Sequence, residues 1–448
     1  MRQSTRPRLL AACAAVALVL VTGPTAAAFP LQPVAGVPSF DDGFLWGVSS
    51  SGFQSEGRAP DSNWTRYIAS GAVEPYHDSV RFLDHYTADI DRAARLGAKV
   101  FRISLEWARL QPKPDGWDGP TFAVYDAVVN AIKAAGMTPM LTLDHWVYPG
   151  WAAERGGWRN PGMVEDWLVN ARKVVEHFAS RDPIWVTINE PAAYLGAEMR
   201  IGALSPSEWP AAMDRLAQAH NAIYDTIHEV QPGAQVTSNI GFVPGPGAEV
   251  AANQPYVDKV RDKLDFVGVD YYFGPDPTTL LPGSSAAGAP GMWNLPLQTE
   301  GIYYALRHYA RQFPGKPLYV VENGMPTEDG KPRPDGYTRA DHLRDTIYWL
   351  QRAKADGMNV IGYNYWSITD NYEWGSYTPR FGLYTVDVAR GDQELVRRPT
   401  DAVEVYASLA RSGGVPANYR PTRPPVLCSQ VDPPDSCTQP VGLPFSFP

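Results

Sequence analysis

The chain has 448 residues and a formal net charge of −9, from 39 basic and 48 acidic side chains. An acidic chain without a cluster of lysines and arginines lacks what binding to nucleic acids or anionic membranes requires, so we expect neither partner. The length leaves room for one large domain or for about three average ones.

The first 28 residues have the layout of a secretory signal peptide. Three arginines lie within the first eight residues, an apolar run covers 9–21, and small residues precede the cleavage site expected after Ala28. An uncleaved membrane anchor is the alternative, although thirteen apolar residues are few for a membrane span. Cleavage of residues 1–28 removes three arginines and no acid, changes the net charge to −12, and leaves a secreted protein.

Apolar, β-forming runs alternate with amphipathic helical stretches through residues 38–412. The predicted strands are 44–50, 99–107, 138–145, 184–190, 235–241, 264–272, 317–324 and 359–366. Several of the helical stretches between them end in glycine, as helix C-termini often do. Eight strands alternating with helices indicate parallel βαβ units, and eight such units close a barrel. Because no linker divides 38–412, the predicted fold is α/β, a single-domain (β/α)8 TIM barrel.

The remaining residues, 413–448, form a proline-rich tail. Nine prolines between Pro416 and Pro448 disfavour both helix and central strand there. Cys428 and Cys437 are the two cysteines left after removal of the signal, and in an exported chain such a pair predicts one disulfide. Too few ligands surround them for a metal site. A disordered tail with two free thiols is the alternative.

Carboxylates stand at the ends of two predicted strands. In "IWVTINEP" (184–191) the fourth strand ends at Glu190, and in "YVVENG" the seventh ends near Glu322. A charged residue there is either a solvated strand end or part of an active site, because barrel enzymes place their sites at the C-terminal ends of strands. Other strand ends carry aromatic, amide or imidazole groups: Gln54, His145, Trp146, Tyr271, Tyr272 and Trp366. Two carboxylates surrounded by such groups suit a sugar, since they supply the acid and the nucleophile of glycoside hydrolysis.

Five sequence motifs in the same order resemble those of the family 1 glycoside hydrolases, the β-glucosidase family. "TINEP" resembles the acid/base motif of the family, and "VVENG" resembles its nucleophile motif. "FLWGVSSSGFQSEG", "TLDHWVYPGW" and "NYWSITDNYEWGSYTPRFGL" are similar to the N-terminal signature, the third-strand segment and the segment after strand eight. The resemblance covers essentially the whole barrel and implies a retaining β-glycosidase that needs no metal or organic cofactor.

The resemblance also implies a role for each matching residue. Glu190 would be the general acid and then the base, and Glu322 the nucleophile, with carboxyl groups about 5–5.5 Å apart. Arg102 and Tyr272 would contact the nucleophile. The substrate-binding residues implied are Gln54, His145, Trp146, Asn189, Trp366, Glu373 and Trp374. A surface position for Gln54 and Glu373, and a core position for Trp374, are the alternatives, while Trp158 and Tyr271 are interpreted as packing residues.

Several positions depart from the family pattern, and "SSSGFQ" is smaller and more polar than the usual alanine-rich segment before Gln54. Asp270 stands where asparagine is usual, and Asp144, Val147 and Glu106 replace an aromatic, an aspartate and a small residue. A carboxyl at 270 is expected to raise the pKa of the acid or to alter the binding of the leaving group. These departures bear on the natural substrate and leave the reaction class unchanged.

The sequence therefore predicts a secreted retaining exo-β-glycosidase that removes terminal β-linked sugars from disaccharides or aglycones, with a small-molecule glycoside as its partner. Two alternatives stay open: an endo-acting β-glycosidase of a related barrel family, and a non-catalytic glycan-binding protein. Retention of both Glu190 and Glu322 favours an enzyme, because a protein that only binds glycans needs neither proton donor nor nucleophile.

Overall fold

The computed structural model describes residues 36–276, 291–388, 391 and 394–442. The predicted signal peptide, 1–28, and the last six residues of the tail lie outside the described residues. Within the described part of the chain, no helix combines the length and the apolar character that a membrane crossing needs.

Eight strands form the central sheet, and each lies within or at the bounds of a predicted strand. They are β1 (Leu45–Ser49), β2 (Val100–Ser104), β3 (Thr138–Asp144), β4 (Ile184–Ile188), β5 (Gln235–Thr237 and Ile240–Gly241), β6 (Val267–Asp270), β7 (Leu318–Asn323) and β8 (Val360–Trp366). All neighbours in this sheet are parallel, and β1 pairs with both β2 and β8. Ser49, for example, lies opposite Trp366 on one side and Arg102 on the other.

The sheet closes through β5, which is divided into two pieces. The first piece pairs with β4 and the second with β6, so the two edges of the sheet are consecutive parts of one chain segment. The prediction of a continuous strand over 235–241 was wrong at Ser238 and Asn239. There the Ser238 hydroxyl donates to the carbonyl of Ile188 at 2.7 Å, and the Asn239 carbonyl accepts from the amide of Glu190 at 3.0 Å. The predicted (β/α)8 barrel is confirmed.

Fourteen α-helices are present in the described residues, most of them in the connections between strands. They are α1 (Gly52–Ser55), α2 (Asn63–Ala69), α3 (Phe82–Arg95), α4 (Trp107–Leu110), α5 (Gly119–Ala134), α6 (Gly150–Glu154), α7 (Met163–Phe178), α8 (Pro191–Arg200), α9 (Trp209–Val230), α10 (Ala248–Val260), α11 (Gly301–Gln312), α12 (Arg339–Ala355), α13 (Ala402–Ser412) and α14 (Pro433–Ser436). Capping boxes begin two of them. Ser62 accepts from the amide of Thr65 before α2, and Thr338 accepts from the amide of Asp341 before α12.

The barrel interior beneath the strand ends is mainly apolar. A cluster of buried side chains there consists of Val100, Met140, Val186, Phe266, Tyr319 and Val321, and the Tyr319 hydroxyl donates to the buried Asn364 at 2.7 Å. Residues two apart on a strand share a face, so Arg102 and Thr142 lie one layer above Val100 and Met140. The polar residues at the C-terminal end of the barrel lie directly above this packed layer.

The tail is ordered over its described residues. A disulfide joins Cys428 and Cys437, whose Cα atoms are 4.2 Å apart. The Tyr419 hydroxyl donates to Asp345 of α12 at 2.7 Å, and Asp435 forms ion pairs with Arg307 and Arg311 of α11. The described part of the tail therefore lies against α11 and α12, and the alternative of a disordered tail with free thiols is wrong for these residues.

Candidate active site

The two glutamates meet at the C-terminal end of the barrel. Glu190 follows β4 in a left-handed backbone conformation (φ 42°), which turns the chain into α8 at Pro191. Glu322 lies on β7. One carboxylate oxygen each from Glu190, Glu322 and Asp270 lies within 4.8 Å of the other two. A Cβ at position 241 would overlap Glu190 Oε1, so glycine there gives the Glu190 carboxyl its space. Glu190 thus faces Glu322, with its side chain half-buried at the mouth of the barrel.

Glu322 is held by two hydrogen-bond donors. Arg102 Nη1 donates to Oε1, and the Tyr272 hydroxyl donates to Oε2 at 2.7 Å. Arg102 is fully buried, and its other donors go to Asn189 Oδ1 at 2.6 Å and to Thr142 Oγ1 at 2.9 Å. The guanidinium is therefore fixed in place, and it orients an ionised Glu322 while compensating its charge.

Glu190 has the opposite electrostatic setting. Burial raises the pKa of its carboxyl well above the ordinary value, and the negative charge of Glu322 raises it further, while Arg102 opposes the shift. Its hydrogen bond from Asn189 Nδ2 is long, at 3.4 Å. Glu322 thus contacts a cation, whereas Glu190 is favoured in its protonated form, and this asymmetry suits retaining hydrolysis.

Gln54 and Glu373 form a buried polar pair near the same end of the barrel. Gln54 Nε2 donates to Glu373 Oε2 at 3.1 Å and to Asn371 Oδ1 at 3.3 Å, and Ser51 donates to Gln54 Oε1 at 2.7 Å. Both side chains are almost completely buried, so the alternative of surface positions is wrong. Burial, with the charge of Glu322, raises the pKa of Glu373 to about 8.

Three tryptophans and a histidine line the region between these groups. Trp146 and Trp374 are stacked with ring centroids 4.6 Å apart, and Trp146 Nε1 donates to the carbonyl of Asn189 at 2.9 Å. The His145 ring lies 5.9 Å from Trp366 and 5.9 Å from Trp374. Burial lowers the pKa of His145 well below its ordinary value, so the imidazole is neutral. Trp374 is thus part of the hydrophobic core, as the alternative interpretation of this residue predicted, and it also contacts His145 and Trp146.

The sequence profile of "Glycosyl hydrolase family 1" matches residues 37–265 and 285–415, which is most of the chain. The chain belongs to this family. It is therefore a glycoside hydrolase.

Relatives and solved structures agree with the family assignment. The chain is 26% identical to beta-glucosidase A of Thermotoga maritima over 454 residues, which cover 85% of this chain and 99% of that protein. It is 28% identical to the beta-glucosidase-like SFR2, chloroplastic, of rice (Oryza sativa subsp. japonica), over 75% of this chain and only 57% of that protein. The solved beta-glycosidase of Pyrococcus horikoshii superposes with a TM-score of 0.70 at 26% identity, and covers 85% of this chain and 96% of its own.

The positions that depart from the family pattern are all buried. Asp144 Oδ1 accepts from the amide of Trp146 at 3.0 Å, and burial raises the pKa of Asp144 to about 8. Glu106 occupies space that a Cβ on Gly52 would fill, so the larger residue at 106 fits because position 52 has no side chain. Val147 is buried among apolar neighbours. These substitutions act behind the site, whereas Asp270 lies within it.

The sequence interpretation missed one residue of this family member. Asn239, at the break in β5, donates through Nδ2 to Asn189 Oδ1 at 2.7 Å and to Asp270 Oδ2. It therefore connects two polar residues beside the glutamates. The signal was present in "QVTSNIG", because a polar side chain near the C-terminal end of the fifth strand obeys the same rule that identified Glu190.

Proposed function

We propose that this chain is a secreted retaining exo-β-glycosidase, which releases a terminal β-linked sugar from a disaccharide or an aglycone by double displacement. The observation that carries the proposal is the spacing of Glu190 and Glu322, whose nearest carboxyl oxygens lie within 4.8 Å. Retaining pairs are about 5–5.5 Å apart, whereas inverting pairs leave about 6.5–9.5 Å for a water molecule.

In the first step Glu322 attacks the anomeric carbon while Glu190 donates its proton to the glycosidic oxygen. The bond to the leaving group breaks, and the sugar becomes an ester of Glu322. In the second step Glu190, now a carboxylate, takes a proton from water, the oxygen of that water attacks the anomeric carbon, and Glu322 leaves as a carboxylate. Two inversions return the β configuration. Arg102 and Tyr272 hold Glu322 in line for both steps.

The buried polar groups favour removal of a terminal sugar over cleavage inside a glycan. Gln54 and Glu373 are the groups expected to bind the hydroxyls farthest from the bond that breaks. Behind them the ring of Trp374 packs against Trp64, with centroids 4.7 Å apart, and against Phe53 at 6.1 Å. These ring contacts place packed aromatic side chains behind Gln54 and Glu373, which supports exo action over the endo-acting alternative.

A panel of 4-nitrophenyl β-glycosides tests the proposal. We expect the purified protein to release nitrophenol from at least one of the glucoside, galactoside, fucoside and mannoside, and proton NMR to show the β-anomer as the first product. An α-anomer would contradict retention. Release of internal fragments from an end-labelled oligosaccharide would favour the endo-acting alternative, and binding without turnover on every substrate would favour the glycan-binding one.

Secretion is tested separately, by expression of the whole chain in an exporting host. We expect the protein in the medium, with its N-terminus beginning after Ala28. Recovery of exported protein that still carries 2–28 would contradict the signal-peptide interpretation.

Glu373 gives a prediction about charged substrates. A sugar 6-phosphate would bring a dianion to a site whose carboxylates include Glu322 and, above its pKa of about 8, Glu373. We expect kcat/KM for 4-nitrophenyl β-glucoside to exceed that for its 6-phosphate by about a hundredfold at neutral pH, because repulsion excludes the phosphate. The ratio should increase between pH 7 and 9 as Glu373 ionises, since the phosphate is already a dianion in this range.

The ratio of the two kcat/KM values is the measurement to use, because the ionisation of Glu190 affects both substrates equally and cancels. Glu373→Gln is the matched control, and in this variant the increase with pH should disappear. Comparable kcat/KM for the two substrates across the range would show that Glu373 does not approach the sugar 6-position.

A further inference from the structure

Asp270 adds a third carboxyl to the site. It is the last residue of β6, only 1% exposed, and its carboxylate lies within 4.8 Å of both Glu190 and Glu322. Arg102 is the cation beside the three carboxyls, and it donates a hydrogen bond to Glu322. If all three carboxyls were ionised, three negative charges and one positive charge would lie together out of water.

The hydrogen bonds of Asp270 are incomplete. Its Oδ2 accepts from Asn239 Nδ2, but its buried Oδ1 has no partner among the described residues. Asn239 supplies nothing more, because the same nitrogen also donates to Asn189. The three hydrogen bonds of Arg102 go to Glu322, Asn189 and Thr142 and not to Asp270. A carboxylate oxygen left in this position is costly unless the group carries a proton.

The charges that face Asp270 act in the same direction. On the neighbouring strand β7 there is Glu322, across the barrel mouth there is Glu190, and the opposing charge is Arg102 on β2. Asn239 on the other neighbouring strand is neutral, and the adjacent Tyr272 is an un-ionised phenol that donates to Glu322. Burial, then Glu322 and then Glu190, raise the pKa of Asp270 well above its ordinary value.

We propose that Asp270 and Glu190 act as a coupled carboxyl pair, in which Asp270 keeps Glu190 protonated to higher pH than a lone glutamic acid at this site allows. The inference rests on the proposed function and identifies a positioning residue for it. Asp270 acts through Glu190, and the reaction itself is unchanged. Glu190 gives its proton to the leaving group and regains one from water, while Asp270 has the same protonation state before and after each turnover.

The pair changes how activity falls as pH rises. With Glu322 ionised, Glu190 and Asp270 together hold two protons. Loss of the first leaves one proton shared by the pair, and the second is held more tightly because its loss places two new charges side by side. The enzyme therefore keeps a fraction of protonated Glu190 after the first ionisation. In an enzyme with asparagine at 270, Glu190 is the only one of the two groups that carries a proton, so protonated Glu190 disappears in a single ionisation.

The test is the pH profile of kcat/KM for the wild-type chain and for Asp270→Asn on an alkyl β-glycoside, whose leaving group needs the proton of Glu190. Asparagine has the shape and the neutrality of a protonated aspartic acid. Each profile is normalised to its own maximum, so that only the position of the alkaline limb is compared. The alkaline limb of the variant should move to lower pH by about one unit.

Asp265→Asn is the matched control, because Asp265 precedes the same strand but pairs with Tyr224 and His228 away from the glutamates. Its alkaline limb should coincide with that of wild type. Asp270→Ser, also neutral, should reproduce the shift and serves if Asp270→Asn does not fold.

The inference would be overturned if the alkaline limb were unchanged in both Asp270 variants, or moved to higher pH. Hydrolysis by the wild type would still support the proposed function in that case. A wild-type chain inactive on every aryl β-glycoside would overturn both.

Discussion

Replacing Glu322 with alanine is expected to abolish hydrolysis of every glycoside, whatever its leaving group, with a loss in kcat of about 10⁵-fold or more. The Glu322 carboxylate forms the covalent bond to the anomeric carbon, so no covalent intermediate forms without it. Arg102 and Tyr272 would remain, but they orient a nucleophile and cannot replace one. Single-turnover assays with 2,4-dinitrophenyl β-glycosides measure the loss without the need for acid assistance.

The same substitution also affects stability, which has to be separated from catalysis. Glu322→Ala leaves the buried Arg102 guanidinium without its anion, and breaking a buried pair in this way costs about 3–5 kcal/mol of unfolding free energy. Glu322→Gln keeps an oxygen for Arg102 and is the matched control. Both variants should be inactive, with Glu322→Gln closer to wild type in thermal denaturation. Hydrolysis by folded Glu322→Gln at more than about one per cent of the wild-type rate would refute the nucleophile assignment.

Glu190→Ala should divide substrates by leaving group. Alkyl β-glycosides need a proton on the departing oxygen, so their kcat/KM should fall by about 10²–10⁴-fold. Dinitrophenolate leaves without a proton, so the first step should survive and hydrolysis of the ester should limit turnover. Added azide should then raise the rate and give a β-glycosyl azide, because a small anion can attack the ester without a general base.

Glu190→Gln is the companion variant, since it keeps the volume of the side chain and removes its acidity. It should show the same division between substrates with weaker rescue, because the amide occupies the space that azide needs. Equal losses on alkyl and dinitrophenyl glycosides, without azide rescue, would mean that Glu190 is not the acid.

The fold and the two glutamates could be predicted because the pattern that indicates them is local: active-site residues of a (β/α)8 barrel lie at the C-terminal ends of its strands. Alternation of strands and helices identified eight units, and the end of each strand then marked a position on one rim. Glu190 and Glu322 were found in this way, and the buried contacts of Arg102, Gln54 and Glu373 agree with the resemblance.

Other features depend on contacts between distant parts of the chain. The break in β5 was missed because apolar pattern does not reveal that Ser238 and Asn239 bond to neighbouring strands in place of a regular ladder. Asp270 was recognised as a departure from the family pattern. Its closeness to Glu190 could not be predicted, because the two residues stand at the ends of β6 and β4, which are not adjacent in the sheet. The packing of the tail could not be predicted for a similar reason, since prolines disfavour helix and strand but do not indicate which surface the chain contacts. The short helix α14 (Pro433–Ser436) forms there all the same, because proline is tolerated in the first turn of a helix.

The tail has a consequence for how far this protein can be shortened. The family profile ends at residue 415, yet Asp345 of α12 is fully buried and accepts from the Tyr419 hydroxyl and from the amides of Thr422 and Arg423, at 2.7, 2.8 and 3.1 Å. A chain trimmed to the shared family boundary would strip a buried carboxylate of most of its donors. The segment that matches the family therefore ends before the residues that bond to Asp345. A chimera that takes this barrel should also take the tail through Arg423.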